Sequence, residues 1–250
     1  MEHWYYYPLL IVVGFVVGFI NTVAGGGSLL SLPVLIFMGL PPTLANGTNR
    51  IAIIIQTAIA TAGFKSKGVS TFPFNIYLGI SAFFGSLLGA KIAVDIDEAI
   101  FNKVLASVMV AVILIIIFKP KTNLAHLQER LTGKYLWLGI IVFFFLGIYG
   151  GFINAGIGFL IILYLHYTHY MSLVRVNATK VFVVFIYTLG ALVIFILNDK
   201  VNFKIGLVLA IGNAAGAWVS SRLSVKKGDG FIRFFLIVMV SIMAIKLWFF

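Results

Sequence analysis

The chain has 250 residues, of which 62% are hydrophobic and 10% are charged, and its formal net charge is +11. A soluble protein carries about 25% charged residues, so this composition excludes a soluble globular domain and indicates a protein embedded in the lipid bilayer. Most Lys and Arg residues lie in short stretches between apolar runs, where they orient a membrane protein, so we expect no nucleic-acid partner.

Apolar runs of membrane-helix character follow one another along the chain, five in each half. In the first half they cover residues 8–25, 28–39, 45–64, 72–92 and 99–118. In the second half they cover residues 135–153, 157–168, 176–197, 203–221 and 231–249. The polar stretch 119–134 is predicted to be a cytoplasmic linker between a first transmembrane repeat, 1–118, and a second, 135–250. We therefore predict an all-α polytopic membrane protein.

The second run of each half is too short to cross a membrane. Twelve residues of helix rise about 18 Å, whereas the hydrocarbon core is about 30 Å thick. Each short run adjoins a glycine cluster, Gly25-Gly26-Gly27 or Gly156-Ile157-Gly158. We predict that the first two runs of each half form a broken, re-entrant hairpin whose tip lies at membrane depth and lines a cavity.

The two halves repeat one pattern of polar residues and glycines. Gly18-Phe19-Ile20-Asn21 returns as Gly151-Phe152-Ile153-Asn154, and Asn46-Gly47-Thr48-Asn49-Arg50 returns as Asn177-Ala178-Thr179-Lys180. Duplication with glycine-broken hydrophobic segments at matching places is typical of the binding site of a secondary transporter.

Loop charge predicts how the halves are oriented. Bases follow the third run, at Lys65 and Lys67, and continue in the linker, so these loops are predicted to be cytoplasmic and the acidic stretch 95–98 external. In the second half the equivalent loop is basic, with Arg222, Lys226, Lys227 and Arg233. Because equivalent loops face opposite sides, we predict two inverted repeats of about five helical segments each, with both termini external.

All seven Asp and Glu residues lie outside the apolar runs. Cation transporters and carboxylate proton relays place acidic side chains inside the bundle, so a cation would find no anionic partner here and an anion is the favoured substrate. The predicted substrate site consists of Asn21, Gly25, Gly26, Gly27, Ser28, Asn46, Thr48, Asn49, Arg50, Asn154, Gly156, Gly158, Asn177, Thr179 and Lys180. We expect no metal, no cofactor and no catalytic residue.

Arg50 and Lys180 are the bases that matter most for this site. A charge within an apolar run costs a few kcal/mol unless it has a partner or water, although each base could also snorkel to the interface. Helices beginning at Ser28 or Phe159 would present free N–H groups and the positive end of their dipole at the hairpin tips. We predict that the tips and the two bases form a cage of donors around an anion. His166 and His169 could couple protons or could simply lie at the interface.

The first repeat resembles the signature of a known family, the sulfite exporter TauE/SafE family. The resemblance rests on Gly18–Ser28, with Pro33 and Gly39 after it, and on Pro41-Pro42 and Ala45–Arg50. The second repeat is degenerate, since Ser172-Leu173 replaces the proline pair and Phe159 stands where Ser28 does. The resemblance implies a multi-pass permease of the prokaryotic inner membrane that exports sulfite, sulfoacetate or related organosulfonates, driven by the proton gradient.

Two alternatives stay open at this point. An anion channel would use the same site without alternating access, and a membrane enzyme would act on a lipid-soluble substrate. The enzyme hypothesis lacks an intramembrane carboxylate or histidine cluster to act as a base. The sequence selects neither the anion nor the direction of transport, and it leaves a homo-oligomer open.

Overall fold

The structure is a computed structural model that describes residues 6–101, 103, 104, 107 and 128–249. The described part of the chain is helical and contains no strand, which confirms the predicted all-α class. Its helices are α1 Tyr6–Val23, α2 Ser28–Phe37, α3 Pro42–Lys65, α4 Phe74–Asp95, α5 Gly133–Phe152, α6 Ile157–Thr168, α7 Leu173–Leu197 and α8 Phe203–Phe249. The predicted run 99–118 and most of the linker 119–134 lie outside the residues described.

Length and apolar character together identify the helices that could cross a membrane. Within the described residues, four helices are long and apolar enough to cross a membrane: α4, α5, α7 and the part of α8 from Phe203 to Val238. The helices α2 and α6 have only 10 and 12 residues, as the short runs predict. The second short helix begins at Ile157 rather than at Phe159, because Gly156 with φ 74° ends the preceding turn directly before it.

The last two predicted runs are separated by a break at Gly228, within the basic stretch between them, rather than by an extended loop. Helical backbone continues without an extended loop from Phe203 to Phe249 and is broken at Gly228, with φ 70° and ψ −165°. Lys226 and Lys227 therefore extend the first section of α8 instead of forming a loop. Glycine is the residue that takes such a backbone conformation without strain, which explains why the break falls at this position.

The first helix of each half packs against an equivalent helix of the other half. Gly18 of α1 lies against the backbone of Asn213 in α8, and the equivalent Gly151 of α5 lies against the backbone of Ser86 in α4. A Cβ at either glycine would overlap its neighbour, so both glycines are needed for the close approach of these helices. The same contact is thus made twice with the roles of the halves exchanged.

The equivalent helices α3 and α7 run in opposite directions where they pack together. Arg50 near the start of α3 lies over the ring of Phe195 near the end of α7, with 5.3 Å between the guanidinium carbon and the ring centroid. Ala60 near the end of α3 shares a buried cluster with Ala178 near the start of α7. Inverted repeats would pack in this way, although inversion across the bilayer stays a prediction.

Candidate functional site

The two hairpin tips contact each other in the centre of the fold. The backbone of Gly25 lies against the backbone of Gly158, so closely that a Cβ on either residue would overlap the other. Gly25 with φ 87° and Gly156 with φ 74° hold equivalent positions in the two tips. Both take the left-handed conformation that glycine accepts at little cost, which lets the chain turn sharply after α1 and after α5.

Arg50 binds the carbonyl end of α5. Its side chain is 0% exposed. Nη1 donates to the carbonyl of Gly150 at 2.6 Å, and Nη2 donates to the carbonyl of Gly151 at 2.8 Å and to Oδ1 of Asn46 at 3.3 Å. The last carbonyls of a helix lack intrahelical partners and carry the negative end of the helix dipole, so a cation there is stabilised.

Lys180 makes the equivalent contact with the end of α1. Its side chain is 2% exposed. Nζ donates to the carbonyls of Asn21 at 3.0 Å and Thr22 at 2.9 Å, and to Oδ1 of Asn177 at 2.7 Å. Burial of Lys180, like that of Arg50, excludes the snorkelling hypothesis, because neither head group reaches the surface of the protein.

An asparagine completes each of these contacts. Nδ2 of Asn46 donates to the carbonyl of Phe152 at 2.8 Å, and Nδ2 of Asn177 donates to the carbonyl of Val23 at 2.8 Å. We call Arg50 with Asn46 the Arg50 clamp, and Lys180 with Asn177 the Lys180 clamp. Each clamp joins the third helix of one half to the end of the first helix of the other half.

The structure does not bring Arg50 onto the Gly25–Ser28 tip, with which it was predicted to share an anion. Its hydrogen bonds run to α5 and to Asn46 as described above. The hydroxyl of Ser28 accepts instead from Nδ2 of Asn154 at 3.0 Å and from Nδ2 of Asn49 at 3.4 Å. Asn49 and Asn154 therefore lie at the first tip, whereas Arg50 binds the end of α5, which precedes the second tip.

A small cavity lies beside the meeting point of the tips, with room for about one water molecule. Its lining consists of Asn21, Gln56, Thr57, Asn154, Ile157, Gly158, Lys180, Val181 and Val184. Four of these residues belong to the predicted site: Asn21, Asn154, Gly158 and Lys180. Lys180 is the only charged residue in this lining, so the local field favours an anion.

Several predicted residues stabilise the surrounding backbone rather than line this cavity. The hydroxyl of Thr48 accepts from the backbone N–H of Asn202 at 2.9 Å, and the hydroxyl of Thr179 lies 2.8 Å from that of Thr71. Gly26 and Gly27 are close to side chains instead: a Cβ at Gly26 would meet the ring of Phe159, and one at Gly27 would meet the side chain of Asn21.

Two polar residues beside the cavity were missing from the predicted site. Oε1 of Gln56 accepts from Nδ2 of Asn21 at 3.1 Å, and the hydroxyl of Tyr187 donates to Oδ1 of Asn154. Tyr187 follows Gln56 by 131 residues, the same separation as between Asn49 and Lys180. Applying the repeat to the intramembrane Gln56 would have identified this pair from sequence.

His169 lies in the loop between α6 and α7, in a setting that favours its uncharged form. Its side chain is buried, and Nδ1 lies 2.6 Å from the carbonyl oxygen of Arg130. Burial lowers the pKa of His169, and the contact with Arg130 opposes this only in part. His166 Nδ1 lies 2.8 Å from the carbonyl oxygen of Met171. Each histidine thus has a backbone partner outside the cavity, so proton coupling through them stays a prediction.

Comparison with known proteins gives consistent matches over nearly the whole chain. A family model described as sulfite exporter TauE/SafE matches residues 10–247. A probable membrane transporter protein of Haemophilus influenzae is 32% identical over 239 residues, which cover 96% of this chain and 93% of that protein. The probable membrane transporter protein YfcA of Escherichia coli is 29% identical over 245 residues, which cover 96% of this chain and 90% of that protein. No solved structure matches the chain.

Proposed function

Because the chain belongs to the sulfite exporter TauE/SafE family, we propose that it exports a sulfur-containing anion across the cytoplasmic membrane as a secondary transporter driven by the proton gradient. The family and the relatives make it a membrane transporter of the multi-pass type. The substrate class we propose is sulfite, sulfoacetate or a related organosulfonate. The observation that carries this proposal is the cavity at the hairpin tips, whose single charged lining residue is Lys180.

The chemistry of the cavity suits an oxyanion. Asn21 and Asn154 each present an amide beside Lys180, and Gly158 brings the start of α6 to the same place. Sulfite and sulfonate oxygens accept hydrogen bonds, and charge-assisted bonds to them are about twice as strong as neutral ones. A cation would meet the ammonium group of Lys180 without a compensating carboxylate in the lining.

Alternating access is supported by the way the halves hold each other. The Arg50 clamp and the Lys180 clamp form repeat-related contacts across the interface between the halves, and the packing of α1 on α8 is repeated by that of α5 on α4. We propose that the tips part to open the cavity while the repeats 1–118 and 135–250, joined by the linker 119–134, stay packed on each other. The predicted site residues outside the cavity hold this arrangement, and Lys180 belongs both to the cavity and to its clamp.

Flux measurements in liposomes test the proposed function. Purified protein is expected to give saturable uptake of radiolabelled sulfite and counterflow against unlabelled sulfite, with the rate responding to an imposed pH gradient. Sulfoacetate and sulfate serve as competitors that define the substrate class. Flux without saturation or counterflow would instead identify a channel, and no flux of any sulfur anion in the panel would reject the proposal.

Membrane topology gives a separate prediction. The chain has no cysteine, so Asp97→Cys and Lys227→Cys introduce single labelling sites at two exposed positions. We expect a membrane-impermeant maleimide to label position 97 from outside the cell and position 227 only after the cytoplasmic face is made accessible. The reverse pattern at either position would contradict the proposed inverted repeats with external termini.

Lys91 is expected to be unimportant for transport. Its Nζ lies 2.9 Å from Oδ1 of Asp95 in a pair whose side chains are 61% and 56% exposed. An exposed i,i+4 pair contributes about 0.5 kcal/mol or less, so Lys91→Gln should leave the sulfite transport rate within about twofold of wild type. A tenfold loss at normal expression would show that Lys91 has a functional role.

A further inference from the structure

We propose that Gln56 is an anion-binding residue whose side-chain N–H group donates to an oxygen of the transported oxyanion. The inference rests on the proposed function and extends it to a residue that was not in the predicted site. Gln56 lies in the middle of α3, is 1% exposed and lines the cavity together with Lys180. The question is which end of its amide group faces a ligand.

The hydrogen bond with Asn21 fixes the orientation of the Gln56 amide. Its Oε1 accepts from Nδ2 of Asn21 in α1 at 3.1 Å, and Nδ2 of Asn213 in α8 makes a longer contact with it at 3.4 Å. Both neighbouring groups are donors, so the carbonyl oxygen is the end of the amide that faces them. The amide nitrogen Nε2 is therefore the end that remains for other contacts.

The Nε2 group of Gln56 has more N–H donors than acceptors within the described residues. An amide nitrogen carries two N–H donors, and within the described residues its one acceptor is the hydroxyl oxygen of Thr22 at 3.5 Å. This distance is longer than the usual range for a hydrogen bond between nitrogen and oxygen. A buried amide with an unused N–H is costly in an apolar interior, and a bound oxyanion would satisfy it.

Lys180 cannot supply directional contacts without breaking its clamp. All three N–H donors of its ammonium group are engaged, by the carbonyls of Asn21 and Thr22 and by Asn177. Lys180 thus provides positive charge at the cavity, while directional hydrogen bonds to the anion come from amide groups that have N–H donors left. Among the amide side chains that line the cavity, Gln56 makes the weakest hydrogen bond through its N–H groups.

The repeat-related position in the other half is already satisfied. Tyr187 donates its only hydrogen to Oδ1 of Asn154, so it has no donor left for a ligand. The two related positions therefore differ: Gln56 in the first half has an N–H group left for a ligand, and Tyr187 in the second half has no donor left. The ligand this arrangement selects is a compact oxyanion head, as in sulfite or a sulfonate. It enters once the tips part, since the cavity now holds about one water molecule.

Two substitutions remove the Nε2 donor, one with and one without a change of charge. Gln56→Glu keeps an oxygen that can accept from Asn21 and Asn213, replaces the Nε2 donor with a second oxygen, and adds a negative charge that itself repels an anion. Gln56→Met keeps a similar length and removes both donor and acceptor. We expect both variants to bind radiolabelled sulfite at least about tenfold more weakly than wild type, because each loses a hydrogen bond to a charged group.

The measurement is equilibrium binding of sulfite to monodisperse protein in detergent, with thermal unfolding as the folding control and Lys91→Gln as the matched benign variant. Sulfite binding by Gln56→Glu within threefold of wild type would overturn the donor role, whatever Gln56→Met does. If wild type itself binds neither sulfite nor sulfoacetate, the proposed function fails and this inference fails with it. If wild type binds sulfite, and Gln56→Glu binds it as tightly while Gln56→Met does not, the inference about Gln56 fails and the proposed function stands.

Discussion

Arg50→Gln is expected to lower the thermal stability of the protein and to reduce sulfite transport at least about tenfold. Glutamine is too short and uncharged, so it cannot hold the carbonyls of both Gly150 and Gly151, which Arg50 contacts at 2.6 and 2.8 Å. A hydrogen bond to a charged group contributes about 1.5–3 kcal/mol, and unpaired buried carbonyls add a desolvation cost. The free energy of unfolding should therefore fall by roughly 3 kcal/mol.

Arg50→Lys is the control for this experiment. Lys180 forms the equivalent clamp with an ammonium group, so a lysine at position 50 should keep most of the stability and transport. Thermal unfolding and sulfite binding of both variants distinguish the two roles considered for Arg50. Weaker sulfite binding by Arg50→Gln at unchanged stability would favour the anion-binding role predicted from sequence and contradict the clamp.

Gly25→Ala is expected to disrupt the contact between the hairpin tips. The added Cβ would overlap the backbone of Gly158, and a non-glycine residue at φ 87° is strained. The left-handed conformation costs about 1–2 kcal/mol and the forced separation of packed backbones about 1–3 kcal/mol more. We expect a fall in melting temperature together with a loss of most sulfite transport.

Gly39→Ala isolates the conformational part of that cost. Gly39 has φ 92°, but a Cβ there would have no atom within 4 Å. This variant should therefore lose only the stability that belongs to the left-handed backbone, and it should keep its transport. Equal losses of stability and transport in Gly25→Ala and Gly39→Ala would show that the contact between Gly25 and Gly158 is unimportant.

Helix type and the two short helices are well predicted from sequence, because one local property decides them. The all-α class follows from long apolar runs, because a backbone in lipid must satisfy its hydrogen bonds within the segment. The short helices α2 and α6 follow from runs of about twelve residues next to glycines. The break at Gly228 falls between the last two predicted runs, but basic side chains indicate an interface and do not reveal that the backbone beside the break is helical.

The partners of buried bases are harder to predict. Arg50 contacts the carbonyls of Gly150 and Gly151, about one hundred residues away in the chain. Every residue has a carbonyl, so no pattern of side chains marks those two as acceptors. An anion was instead the expected partner, since a buried base without a nearby carboxylate is typical of an anion site.

What the sequence determined by itself is what each segment can do alone: reside in the membrane, break at a glycine cluster, and repeat in a second half. These properties depend on residue type and spacing, which do not change with the environment of the segment. The tertiary structure decided which segments face each other. It placed the two bases on the carbonyl ends of helices in the opposite half, and it left Gln56 rather than Arg50 at the cavity with Lys180. The reason is that hydrogen bonding and close packing depend on relative positions of distant residues, set only when all helices assemble.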